Sequence, residues 1–300
     1  MAGTTLSWGL GRRNILEVYK IQAARIEKQW KWLLGNTLET TQIYEFFKQM
    51  RGLAPADPTP EGEPVKYDNY TQLFTRSFTP GLFTKGIKYT ELADFTNQYK
   101  DIIAKQPDFA LAFGTRKNLQ AASLYNLGFT DTTMGQNSET LFSTSHSMGG
   151  SVTGANTPLV NISFGPLAIE QMITEIRGQK DANNQPMMLT GGIQLMVPYQ
   201  LEGKATRYVK SLQLAGTNNN DTNEFIKSRI ELQICDYFSS ATAFFGRMVD
   251  NQQHKLFILF QLPYDMKQLA MTDDLYQRYV ARESYIVGWS DWHGTWGALG

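Results

Sequence analysis

The chain has 300 residues, 28 basic against 28 acidic side chains, and one cysteine. Balanced charge argues against a dedicated nucleic-acid binder, which carries a basic excess, though it leaves room for local charged patches. One cysteine rules out an intrachain disulfide, and a chain this long buries roughly 75% of its unfolded surface, so its core needs neither disulfide nor metal.

The amino-terminal stretch MAGTTLSWGLGRRN lacks the basic-then-apolar pattern of a signal peptide. The longest clean apolar run, Leu256 to Phe260, falls far below the ~18 residues of a membrane span. The expectation is an intracellular soluble product with no membrane partner. The glycosylation patterns at Asn69 and Asn161 carry no meaning without secretion.

Residues 12–34 are predicted to be helical, with Ile15, Tyr19, Ile26, Trp30 and Leu33 on one face. The other face carries Arg12, Arg13, Lys20, Arg25, Lys28 and Lys31 against Glu17 and Glu27. It reads as a solvated outer face or as a contact for something anionic. Gly52 to Pro64 follows, with four prolines in thirteen residues, which excludes helix and central strand. Tyr70 to Leu92 reads as a β-hairpin turning at Thr79-Pro80-Gly81. Its faces lack clean alternation and two strands alone are marginal in water, so it is expected to lean on a neighbouring chain.

Glu91 to Lys105 is a further predicted helix. Pro107 opens a longer one, with Asp108 suited to its start and Gly128 to its end. Its expected apolar stripe is Phe109, Ala112, Phe113, Leu119, Ala122 and Leu127. After a polar connection over 141–161 comes a helix, Pro166 to Arg177, with Leu167, Met172, Ile173 and Ile176 inward. A polar turn, a strand ending near Pro198, a short helix over 201–211 and an asparagine-rich loop over 215–224 follow. The remainder is β-rich: Arg229 to Phe238, Ala241 to Val249, Lys255 to Leu262 and Leu275 to Trp296. The order is α+β, without regular strand–helix alternation.

The connection holds the one stretch that invites an enzymatic reading, Ser145-His146-Ser147. Neighbouring strand side chains point to opposite faces, no nucleophile elbow surrounds either serine, and no acidic residue lies between Glu139 and Glu170. A loop whose hydroxyls and glycines satisfy their own backbone is the stronger reading. Phosphate-loop and zinc-protease motifs are absent, and His146, His254 and His293 are far apart in sequence. No cofactor or metal is expected. Cys235 reads as a small buried apolar residue. Trp289, Trp292 and Trp296 read as buried strand packing, because the nearest upstream basic residue is Arg282 and a stacking platform for single strands needs adjacent charge.

LFSTSHSMGG, a variable loop, IRGQKDANNQPMML, IQLMVPYQLEGKA and the closing RYVARESYIVGWSDWHGTWG occur in this order. Together they resemble the major capsid proteins of tailed phages, especially those similar to the Mu-like major head subunit, over residues 65–300. The resemblance implies the Hong Kong 97-type fold: an amino-terminal arm (1–50), an extended loop (51–96, the hairpin), a peripheral domain with a spine helix (97–157 and 263–300) and an axial domain (158–262). It also implies a subunit that assembles with itself as hexamers and pentamers, in the host cytoplasm, into an icosahedral head enclosing double-stranded DNA.

Under this reading His146 is structural. Phe74, Arg76, Phe78, Phe83, Lys85 and Tyr89 are the inter-subunit contact candidates. The basic residues from Arg12 to Lys31 are inner-surface or partner contacts that meet DNA non-specifically. With only about fifty residues before the proline-rich break, and Met1 at the start, a separate scaffolding protein is expected, with a portal and a decoration protein as further partners. Deleting 70–90 is expected to leave a folded monomer that makes no stable shell. The rival readings are another virion component, of tail or decoration type, and a serine hydrolase.

Overall fold

The computed structural model describes residues 28–90, 107–149, 152–211, 222–269 and 276–300. In chain order the elements are α1 (Gln29–Leu34), β1 (Asn36–Glu39), β2 (Glu45–Arg51), β3 (Thr71–Phe78), β4 (Gly81–Thr90), α2 (Pro107–Asn126), β5 (His146–Ser147), β6 (Thr153–Gly154), α3 (Pro166–Arg177), β7 (Ile193–Pro198), α4 (Glu202–Lys210), α5 (Glu224–Arg229), β8 (Ile230–Cys235), β9 (Phe244–Met248), β10 (Leu256–Leu269), β11 (Tyr276–Trp289) and β12 (Thr295–Ala298). The predicted helix over 91–105, most of the predicted helix over 12–34 and most of the asparagine-rich loop lie outside the described residues.

Two four-stranded sheets organise the chain. The first has the order β1-β10-β11-β4, the second β12-β9-β7-β8. Among the described residues, only β1 against β10 and β7 against β8 run parallel. The second sheet is covered on both faces, as the two-residue period of its strands shows. In β9, Phe244 and Met248 face α3, while Phe245 faces the core beneath α2. In β7, Ile193, Leu195 and Val197 face α3 and Met196 faces the other way. One core lies under α3. The other joins α1 and α2 to both sheets, which welds the two sheets into one body.

The helices correct two expected stripes. On α2 the buried face is Asn118, Ala121, Ala122 and Tyr125, at i, i+3, i+4 and i+7, whereas Leu119 and Leu127 are exposed. The polar Asn118 belongs to this face because its side-chain oxygen accepts the backbone N–H of Trp30 at 3.0 Å, which docks α1 onto α2. On α3, Met172, Ile173 and Ile176 are buried with Ala168 and Ile169, but Leu167 is 75% exposed.

The predicted hairpin is also corrected. Its strands exist, but they are not partners. β3 pairs with β2 antiparallel, joined by the proline-rich stretch, and β4 pairs with β11 over ten positions from Thr90↔Tyr276 to Gly81↔Tyr285. Phe78 and Gly81 sit either side of a crossing from one ribbon to another sheet. Deleting 70–90 would therefore remove a strand of the main sheet and Phe83 from its core. The expected folded monomer does not follow from that deletion.

Strand pairing also crosses the expected segment boundaries. β1 lies within 1–50 yet forms the edge of the main sheet beside β10, and β12 joins β9 in the second sheet.

Candidate functional site

From Met50 to Gln72 every residue is exposed. Proline rings at 55, 58, 60 and 64 deny the stretch regular pairing, so it forms the open end of the β2–β3 ribbon. Its base is fixed by Asn183, whose amide oxygen accepts from Arg51 Nε at 2.7 Å and whose amide nitrogen donates to Gly52 O at 2.9 Å. Lower down, the rings of Phe47, Phe78 and Phe257 pack together, with Phe47 stacked on Phe257 at 4.4 Å between centroids. Beyond this anchor Phe46, Met50, Leu53, Val65, Tyr67 and Tyr70 are exposed, an apolar series in one contiguous stretch.

The contact candidates are distributed around this ribbon. Phe74 is half-buried on β3. Arg76 donates from Nη2 to Thr133 O at 2.6 Å. Phe78 is 3% exposed, so its side chain is committed inside the subunit. Phe83 packs on Tyr285 at 4.8 Å, with the Arg116 guanidinium 5.3 Å above its ring. Lys85 is exposed on β4, opposite Ala281, and Tyr89 pairs with Gln277. Of the basic series, Arg12, Arg13, Lys20 and Arg25 lie outside the described residues; Lys28 and Lys31 are exposed at α1. Sequence reasoning missed Phe46, Tyr67 and Tyr70, whose only signal was aromatic residues flanking a proline-rich break.

His146 is fully buried and both ring nitrogens are taken. Nδ1 lies 3.0 Å from Oε2 of Glu139 and Nε2 3.0 Å from Oδ1 of Asn156. Asn156 is itself oriented by donating to Leu141 O and Thr295 Oγ1. Burial holds the His146 pKa below its ordinary value, against the opposing bonds to Glu139 and Asn156. The Ser145 hydroxyl is on the exposed side of the loop, and its backbone N–H is donated to Ser143 Oγ at 3.1 Å. This is a polar clamp tying residues 139, 146 and 156 to the carboxyl-terminal strand. The geometry that activates a serine is not there.

A second buried polar knot joins α1 to the two sheets. Arg247 on β9 donates to Gln194 Oε1 at 2.6 Å, to Trp32 O at 2.8 Å and to His254 Nε2. Burial, and then the Arg247 charge, lower the His254 pKa to about 2. Cys235 and Trp289, Trp292 and Trp296 are all buried, as expected for core packing. Among the described residues, no group of three or more His, Cys, Asp or Glu side chains is placed to hold a metal ion, and no helix is long and apolar enough to cross a membrane.

No sequence-family model matches the chain, and no curated protein matches it in sequence. Solved structures do. The virus-like particle protein from Pyrococcus furiosus superimposes with a TM-score of 0.54 at 7% identity, over 95% of this chain and 98% of that one. The capsid of Ralstonia phage GP4 gives 0.56 at 10%, over 87% and 85%. The capsid of an empty GTA particle gives 0.56 at 7%, over 91% and 90%. The chain therefore has the fold of capsid-shell subunits, the Hong Kong 97-type α+β fold, over most of its length rather than in one piece. The likeness to Mu-like head subunits in particular is not singled out by this comparison.

Proposed function

We propose that this chain is the major shell subunit of a tailed-phage head. The observation that carries the reading is a capsid fold matched over nearly the whole of both chains, in a subunit that presents a long exposed ribbon end unused by its own core. In a shell, each such ribbon lies on the next copy. Many modest contacts of this kind add up to a stable closed object through multivalency, while each remains weak enough to correct errors. Hexamers and pentamers give the closed symmetry that ends growth. In the proposed layout, β2–β3 is the extended loop, α2 the spine helix of a peripheral domain, and the α3–β9 region most of an axial domain.

The shell encloses double-stranded DNA. The basic series from Arg12 to Lys31 meets phosphate without reading sequence. A separate scaffolding protein, a portal and a decoration protein complete the set of partners, with assembly in the host cytoplasm and a final location in the virion. No catalytic role is proposed: the two nitrogens of His146 are engaged by Glu139 and Asn156. The experiment is expression of the chain alone and beside its neighbouring genes, followed by sedimentation through sucrose. A fast, homogeneous fraction made of this chain is expected. A monomer or dimer under every condition would overturn the reading.

A further inference from the structure

The loop that carries Asn183 is fastened to the segment just before β12. Gln179 makes the first fastening: its amide oxygen accepts the Gly294 N–H at 2.7 Å, and its amide nitrogen donates to Thr295 O at 3.0 Å. His293 makes the second. It is 5% exposed, with Nδ1 against Oδ1 of Asp291 and Nε2 3.0 Å from Lys180 O. A carboxylate and a carbonyl only accept, and a neutral imidazole carries one N–H. Both contacts are hydrogen bonds only when the ring carries both protons. Burial opposes that charge, but Asp291, the Lys180 carbonyl and Asp181 outweigh it and raise the pKa. Lys180 brings its carbonyl alone, its side chain being exposed. The ring stacks on Trp292, whose indole also stacks with His146, itself against Glu139.

From Lys180 the loop turns around Asp181, whose carboxylate takes the backbone N–H of Asn183 at 2.9 Å and of Gln185 at 2.8 Å. It closes at the bridge between Lys180 and Pro186. At its tip Asn183 holds Arg51 and Gly52. Just inside that hold the ribbon has a bulge: Gln49 pairs with Phe74 and Met50 with Gln72, which leaves Leu73 over. A bulge bends its strand, so the hold at Arg51 and Gly52 sets the direction in which the ribbon end leaves the body. We infer that His293 is the pin of a proton-dependent latch on the β2–β3 ribbon. As an imidazolium it fixes Lys180 and with it the Asn183 loop; the neutral ring gives up one of its two bonds, and the hold on Arg51 and Gly52 slackens. The latch is closed below the folded-state pKa of His293 and opens as the pH rises through it. It is a property of the single subunit and does not depend on the shell reading.

Amide hydrogen exchange of the full chain between pH 6 and pH 9, corrected for the intrinsic effect of pH, tests it. The segments followed are the loop over 179–187 and the ribbon base over 49–52 and 71–74. In the wild type both should lose protection about tenfold with one midpoint as the pH rises, the size of a charge-assisted hydrogen bond. With three histidines in the chain, the ring titration of His293 is read by nuclear magnetic resonance and assigned against His293→Gln, and it should share that midpoint. In His293→Gln the protection should be independent of pH. In Asn183→Ala the loop should keep its pH response and the ribbon base should lose it. Corrected protection that stays flat in the loop or in the ribbon base of the wild type would overturn the latch, and so would a response that persists in His293→Gln. Should His293→Gln fail to fold, the wild type and Asn183→Ala decide by the same criteria.

Discussion

The imidazole of His146 lies flat against the indole of Trp292, with ring centroids 4.5 Å apart and planes 8° from parallel. One edge of that imidazole meets Glu139 and the other Asn156, so the loop that carries it is bolted to the last strands of the chain. His146→Ala should destabilise the monomer by about 3 kcal/mol, because it opens a cavity and leaves two buried polar partners unpaired. Ser145→Ala, at an exposed site, should change stability by less than about 0.5 kcal/mol and leave particle yield unaltered. Urea denaturation of both variants measures this. Equal and small effects would remove the clamp from the account.

His254 predicts how stability depends on pH. Unfolded, it binds a proton near pH 6.5; folded, it does so only near pH 2, because burial and the adjacent Arg247 oppose the charge. A depressed histidine contributes stability that is complete above the unfolded pKa and lost as the pH falls below it. From pH 7 to pH 5 the loss is about 2 kcal/mol, at ~1.4 kcal/mol per pH unit once protonation is complete. His146, also lowered by burial, acts in the same direction. For His293, burial is outweighed by Asp291 and the pKa is raised, so its contribution is present below the unfolded value and fades as the pH rises through the folded one. Denaturation midpoints of wild type and His254→Asn at pH 7 and pH 5 read the effect. The variant should show the flatter dependence.

Residues 54–68 make no contribution to either core. Replacing them with a short glycine-serine link should leave the thermal midpoint of the monomer within a degree or two and abolish stable shells. A folded variant that still closes into particles would show that the ribbon end is not an assembly element.

Phe78 and Lys85 separate folding from assembly. Phe78→Ala should cost about 3–5 kcal/mol, since it empties the cluster with Phe47 and Phe257. Lys85→Ala, on the exposed face of β4, should be nearly neutral for folding. If Lys85 is a contact, its loss shows only in particle stability against heat or denaturant.

Periodicity and capping made much of this architecture legible. Pro107 opened α2 and Pro166 opened α3 where expected, and the strand expected to end near Pro198 does end there. Pairing was not legible. Thr79-Pro80-Gly81 has the chemistry of a hairpin turn, yet the strands on either side join different partners, one running from Arg51 back to Glu45 and the other from Tyr276 to Tyr285. Local turn propensity cannot choose between a near partner and a distant one; tertiary packing chose. Asn118 concealed the true face of α2 because a polar residue that caps another helix looks, in sequence, like a solvent-facing one. The exposed tyrosines of the ribbon end carried no signal beyond composition, since they take no part in the subunit's own cores.

Electron microscopy of the fast-sedimenting fraction, from cells expressing this chain with its neighbouring genes, tests the central claim most directly. Closed particles of uniform size, resolving into hexamers and pentamers with the β2–β3 ribbon laid across the adjacent copy, are the predicted result. Open tubes, rings without closure, or no particles from a well-folded chain would contradict it.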